Sequence, residues 1–153
     1  TLPALTSNGP GLWWFGLFNT PTMPQTLLQG REEQFVTEFL RYNVSPVVAG
    51  SITQKDIAVY AQNLRGAAHL NAYVSYFGTF RQDVPHVQQL RQKKLTIPVL
   101  AIGADHSLGA ELGKQAQQYA TNVRSVVIAN SGHWIPEEHP QEVVQHLTSF
   151  FAT

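Results

Sequence analysis

Two short apolar runs limit most strongly what this chain can fold into. They are Ile97-Pro98-Val99-Leu100-Ala101-Ile102 and, within Arg124 to Ala129, Val126-Val127-Ile128-Ala129. Runs of this kind are expected of strands buried on both faces. Between them Ala110 to Thr121 is helix-compatible, with Leu112, Ala116, Tyr119 and Ala120 as inward positions. Strand, helix and strand at this spacing predict a right-handed parallel crossover. After the second run, Pro140 suits a helix first turn, and Val143, Val144, Leu147, Phe150 and Phe151 form a broad apolar stripe. Two parallel strands cannot stand alone, because such a sheet needs covered faces and paired edges. The fold class is therefore α/β with an incomplete sheet, implying strands that these 153 residues do not contain.

The rest of the chain differs in kind. Residues 1–94 read as helical and irregular, and residues 95–153 as β-α-β-α. Phe35, Val36, Phe39 and Leu40 mark one face of a helix over Arg31 to Tyr42. A second helix begins at Thr53, where Asp56 completes a variant capping box. Its stripe is Ile57, Tyr60, Ala61 and Leu64, and Gly66 stops it. A third runs from about His69, with Leu70, Tyr73, Phe77 and Phe80 along one side, and Pro85 ends it or begins the next turn. Val87, Leu90 and the Arg91, Lys93, Lys94 cluster predict a short fourth helix.

Composition narrows the functional classes. Charged residues are 13%, against a usual share of about 25%, while hydrophobic residues are 43%. Little charge with ample apolar content points to a surface partly covered by more protein. Ten basic residues balance ten acidic ones with no block of like charge, so nucleic-acid binding has no electrostatic footprint. No cysteine is present, which excludes disulfides and thiolate chemistry. No apolar run approaches the roughly 20 residues of a membrane span. Thr1-Leu2-Pro3-Ala4-Leu5 lacks the charged start of a signal peptide, so no membrane association is expected and the cytoplasm is the favoured compartment.

Chemistry in open α/β sheets gathers at the carboxyl ends of strands. Asp105 follows the first run, in Gly103-Ala104-Asp105-His106-Ser107, and His133 follows the second, in Ser131-Gly132-His133-Trp134-Ile135-Pro136. Adjacent parallel strands would bring the two loops together. A carboxylate there can hold an imidazole in one tautomer, and a histidine titrates near neutral pH. Asp105 and His133 are thus the expected catalytic pair. The alternative is a turn-capping aspartate and an ordinary loop histidine. Asp105, His106, His133 and His139 match no standard metal-ligand spacing, so no metal is expected. Trp13, Trp14, Phe15 and Phe18 are packing residues or the floor of an apolar pocket. Tyr73 fits a core role, whereas Tyr76 lies off that stripe and can offer a hydroxyl to a pocket. Glu38 reads as a solvated carboxylate.

The stretch from Ile97 to Gly109, followed by Asn130-Ser131-Gly132-His133-Trp134-Ile135-Pro136-Glu137-Glu138-His139-Pro140, resembles the end of an α/β-hydrolase. The branch it is most similar to is the epoxide hydrolase-like and haloacid dehalogenase-like group. Trp13-Trp14-Phe15, Gly30-Arg31-Glu32 and Phe39-Leu40-Arg41 resemble that branch's helical cap. The resemblance implies that residues 1–94 are a leading segment and cap and that residues 95–153 are the last two strands and helices of the core. It also implies a mechanism: an Asp or Ser nucleophile forms an ester with substrate, and the histidine, here His133, activates the water that cleaves it. Asp105 occupies one of two places for the orienting acid. The other, near Asn8-Gly9-Pro10, holds no carboxylate. The family's small-x-nucleophile-x-small elbow has no counterpart in the chain. Phe77 falls where epoxide hydrolases carry a cap tyrosine, with Tyr76 beside it, and Glu38 replaces a cap histidine or tyrosine. Tyr76, Trp134, Trp13 and Trp14 are the expected substrate-lining residues.

The expectation is therefore part of a capped hydrolase acting on a small apolar epoxide, halide or ester, without a cofactor. It would be inactive until joined by an N-terminal half of the fold, in the same or another chain, or would self-associate through its strand edges. The alternative is a non-catalytic binding module derived from the same fold.

Overall fold

The computed structural model describes residues 13–152, with only the backbone of Phe80 and Arg81. Asn8-Gly9-Pro10 lies outside the described residues. Six α-helices come first: α1 (Trp13–Phe18), α2 (Met23–Leu28), α3 (Glu32–Asn43), α4 (Gln54–Leu64), α5 (Ala67–Gly78) and α6 (Phe80–Leu90). A 3-10 turn, Pro46–Val48, sits between α3 and α4. Then follow β1 (Val99–Ala104), α7 (Ala110–Tyr119), β2 (Val123–Ile128), the short α8 (Ile135–Glu138) and α9 (Pro140–Phe151).

The helical region closes around two apolar clusters that share α3. Phe35 and Phe39 lean on Trp14, Phe18, Leu28 and Leu70, joined by Tyr73 and Phe77. Val36 and Leu40 pack with Ile57 and Ala61 of α4, and Trp134, distant in sequence, seals this second cluster. Phe77 lies against Phe15 and Phe18, with ring centroids 5.3 and 4.6 Å away, and so serves as packing. At the start of α4, Thr53 accepts from the Asp56 N–H while the Asp56 side chain accepts from the Thr53 N–H, the expected capping box. Pro85 departs from expectation. It lies inside α6 instead of ending a helix. It is the sixth of the eleven residues of α6, where its missing N–H forgoes one intrahelical bond.

β1 and β2 pair in parallel, from Val99 opposite Val123 to Ala104 opposite Ile128. A further bridge joins Leu95 to Ala120. The helix α7 crosses close over both strands. A Cβ at Gly113 would collide with the Ser125 side chain, so only glycine permits that approach. The sheet has two strands among the described residues. Much of its surroundings is open. Val127 is exposed, as are Val144, Leu147 and Phe151 on α9, the helix predicted to bury a broad stripe.

Candidate active-site loop

The turn after β2 begins at Asn130, whose φ of 57° places it in the left-handed region that asparagine tolerates better than most residues. This redirects the chain from the strand into Ser131-Gly132-His133-Trp134. The loop is held along its whole length. Asp105, just past β1, accepts from the N–H groups of Asn130 (2.9 Å) and Ser131 (3.1 Å). Glu138, on α8, accepts from Gly132 (2.6 Å) and Trp134 (2.8 Å). The His133 N–H donates to the Asn43 carbonyl at 2.8 Å. Five consecutive backbone N–H groups are therefore engaged, leaving the exposed imidazole as the part of the loop that projects.

The helical region forms one side of this arrangement. A Cβ on Gly132 would lie 2.5 Å from the Asn43 carbonyl oxygen and 2.6 Å from the Ser45 nitrogen, both backbone, so no side chain fits. The Trp134 indole N–H donates to the Leu40 carbonyl at 2.9 Å. Tyr60 on α4 donates to the Glu137 carboxylate. That bond, with burial and nearby carboxylates, pushes the Tyr60 hydroxyl up to about 12.

The Asp105 carboxyl is held below the ordinary aspartate value, chiefly by the Asn130 N–H; desolvation opposes this, and the Ser131 N–H and nearby His106 add to the lowering. Asp105 and His133 are thus brought to one loop junction. The contacts of the Asp105 carboxylate are the loop amides and His106, at 3.9 Å, and among the described residues no hydrogen bond joins it to the His133 ring. His139 meets the Asn130 carbonyl through Nε2 at 3.3 Å. Among the described residues no three histidine, aspartate or glutamate side chains gather as a metal-holding group.

Three of the four expected substrate-lining residues belong to one aromatic series. Trp134 stands edge-on to the His133 ring at 4.8 Å and 5.9 Å from Phe39. Phe39 in turn meets Trp14 at 5.3 Å and Trp13 at 6.2 Å. Trp14 is buried and Trp13 is partly open, bordering a groove with Phe35, Glu38, Phe39, Arg41 and Tyr42. Tyr76 is not in this series. It is 78% exposed on α5. Sequence reasoning passed over Glu138 and Tyr60 as site-building groups. The available signal was a glutamate shortly after Gly-His-Trp, on what proves to be one helical turn.

No family model matches the chain. The soluble epoxide hydrolase of Corynebacterium sp. (strain C12) is 35% identical over 114 residues, covering 74% of this chain and 38% of that protein. Epoxide hydrolase 3 of Mus musculus is 22% identical over 138 residues, covering 88% of this chain and 36% of that protein. Among solved structures, wild-type Cfl2 from Burkholderia cenocepacia superposes with a TM-score of 0.82 at 28% identity, covering 91% of this chain and 47% of that one. The Cif epoxide hydrolase from Acinetobacter nosocomialis gives 0.86 at 22% identity, covering 97% and 47%, a likeness of fold. The chain thus spans well under half the length of these curated relatives and about half of the solved chains. In sequence and in fold the chain is thus similar to epoxide hydrolases of the α/β-hydrolase superfamily, and its helices and two-stranded parallel sheet are consistent with a C-terminal part of that fold.

Proposed function

We propose that this segment supplies the water-activating half of a hydrolase that acts on a small apolar substrate through a covalent ester. A nucleophile on polypeptide beyond these 153 residues attacks the substrate carbon and displaces the epoxide oxygen, halide or alcohol. His133 then takes a proton from water as the resulting hydroxide attacks the ester carbonyl, which releases product and regenerates the nucleophile. Asp105 is the orienting acid, favouring the charged imidazole. Trp134, Trp13 and Trp14 line the apolar side of the site, and Tyr76 joins them when substrate is bound.

One observation carries this reading. The loops at the carboxyl ends of β1 and β2 are bonded to each other through the Asp105 carboxylate, and the exposed His133 follows two residues later. The names of the relatives favour epoxides as the first substrates to try. The test is a hydrolysis screen on epoxides, haloacids and aryl esters, with and without a nucleophile-bearing N-terminal half of the fold. Turnover is expected only from the combined protein, and His133→Ala abolishes it. Robust turnover by the 153 residues alone contradicts the reading. Absence of turnover from the combined protein favours a non-catalytic module.

A further inference from the structure

The mechanism above leaves without a role a buried carboxylate beside His133. Glu138 is 6% exposed, and a carboxylate so buried needs several donors to replace lost water. It has three. Its Oε2 accepts from the Ser45 N–H at 3.0 Å and the Gly132 N–H at 2.6 Å, and its Oε1 accepts from the Trp134 N–H at 2.8 Å. Gly132 and Trp134 are the two residues that flank His133 in sequence. Ser45 belongs to the cap, just beyond the end of α3.

We infer that Glu138 is a positioning residue. It fixes the peptide units on both sides of His133 and so sets the direction of the imidazole, and through Ser45 it ties that direction to the placement of the cap. The peptide units are the relevant handle, because a side chain's Cα–Cβ vector is fixed by the backbone around it. The coupling has a second strand. The His133 N–H itself is held by Asn43, and Gly132 sits against the backbone of Asn43, Val44 and Ser45 with no room for a Cβ. A shift of the α3 end therefore reaches His133 through at least two independent contacts. This inference rests on the proposed role of His133.

Glutamine at position 138 is the discriminating substitution. It keeps the shape but offers one acceptor oxygen, and its amide NH2 cannot accept. With that oxygen in the place of Oε2, the Ser45 and Gly132 bonds survive and the Trp134 N–H faces a donor. In the wild-type chain, amide exchange followed by NMR should show Ser45, Gly132 and Trp134 protected together. In Glu138→Gln, protection at Trp134 should fall most, while Ile57, Ala61 and Leu70 of the cap core keep theirs.

The kinetic arm uses the combined hydrolase. Glu138→Gln should lower kcat by about 10²-fold, as expected for a catalytic group displaced by about 1 Å, with KM near wild type. Formation of the covalent ester should keep its rate while its hydrolysis slows, a split that general loss of structure would not produce. Two results overturn the inference. One is wild-type exchange at Gly132 and Trp134 as fast as in an open loop, a measurement that needs no variant. The other is an active enzyme that His133→Ala abolishes but whose ester hydrolysis is untouched by Glu138→Gln. If His133→Ala leaves turnover intact, the role given to His133 fails and the inference falls with it. The exchange data would then show the clamp alone.

Discussion

Asp105 works on the loop through its charge, and this makes the junction sensitive to acid. Its carboxyl is held below the ordinary aspartate value in the folded chain. The ionised form is thus favoured by folding. Its contribution is complete above the unfolded-state value, near 4, and is lost as pH falls through the lowered folded value. Asp105→Asn should therefore be less stable than wild type at neutral pH, with the difference closing in acid. Denaturation at a series of pH values checks this, and a gap that stays constant into acid contradicts it. That Asp105 and His133 lie in the loops beyond β1 and β2 was legible in the sequence, because strand ends are legible and each of these loops follows an apolar run. Glu138 was not. Its burial depends on an amide 93 positions away, and nothing in local spacing distinguishes a clamped glutamate from a solvated one. Tyr76 shows the opposite limit: a helical stripe told that it lies off the core, but not whether anything lies opposite it.

At the scale of elements, α3, α4 and α5 were readable from their apolar spacing, since one side of each must face a neighbour. The box at Thr53 was readable because its chemistry is local: both bonds close within four residues. Thr53→Ala should destabilise α4 by about 1 kcal/mol, measured by chemical denaturation, with Asp56 losing its partner. No loss of stability would mean that the box does not hold the start of α4. The short helices were harder. α1, α2 and α8 carry four to six residues each, too few to show a period, and they form because tertiary contacts complete them. Trp14 and Phe18 anchor α1 in the first cluster. α8 and the residue before it are held from two neighbouring helices, by Tyr60 of α4 bonding Glu137 and by the Leu40 carbonyl of α3 accepting from the Trp134 indole.

At the scale of the whole molecule, the loop after β2, Gly132-His133-Trp134, joins the end of the strand pair β1–β2 to the helical region through Asn43 and Leu40. The expectation that the sheet is part of a larger one came from the sequence alone, because apolar strands need cover on both faces. The exposed Val127, Val144, Leu147 and Phe151 show the corresponding surface, and the solved relatives are about twice as long. No helix among the described residues is long and apolar enough to cross a membrane. What length and periodicity could not supply was the way the helical region is bonded to the loop after β2, because most of those bonds have a backbone carbonyl or amide of a distant residue as one partner, which no side-chain pattern encodes. The central claim is that His133 activates the water that cleaves a covalent ester. The most direct measurement is mass spectrometry of the combined hydrolase after mixing with an epoxide, wild type against His133→Ala. The account predicts that the variant accumulates protein heavier by one substrate and releases almost no diol, while wild type turns over. A variant that turns over at the wild-type rate, with no adduct, would contradict it.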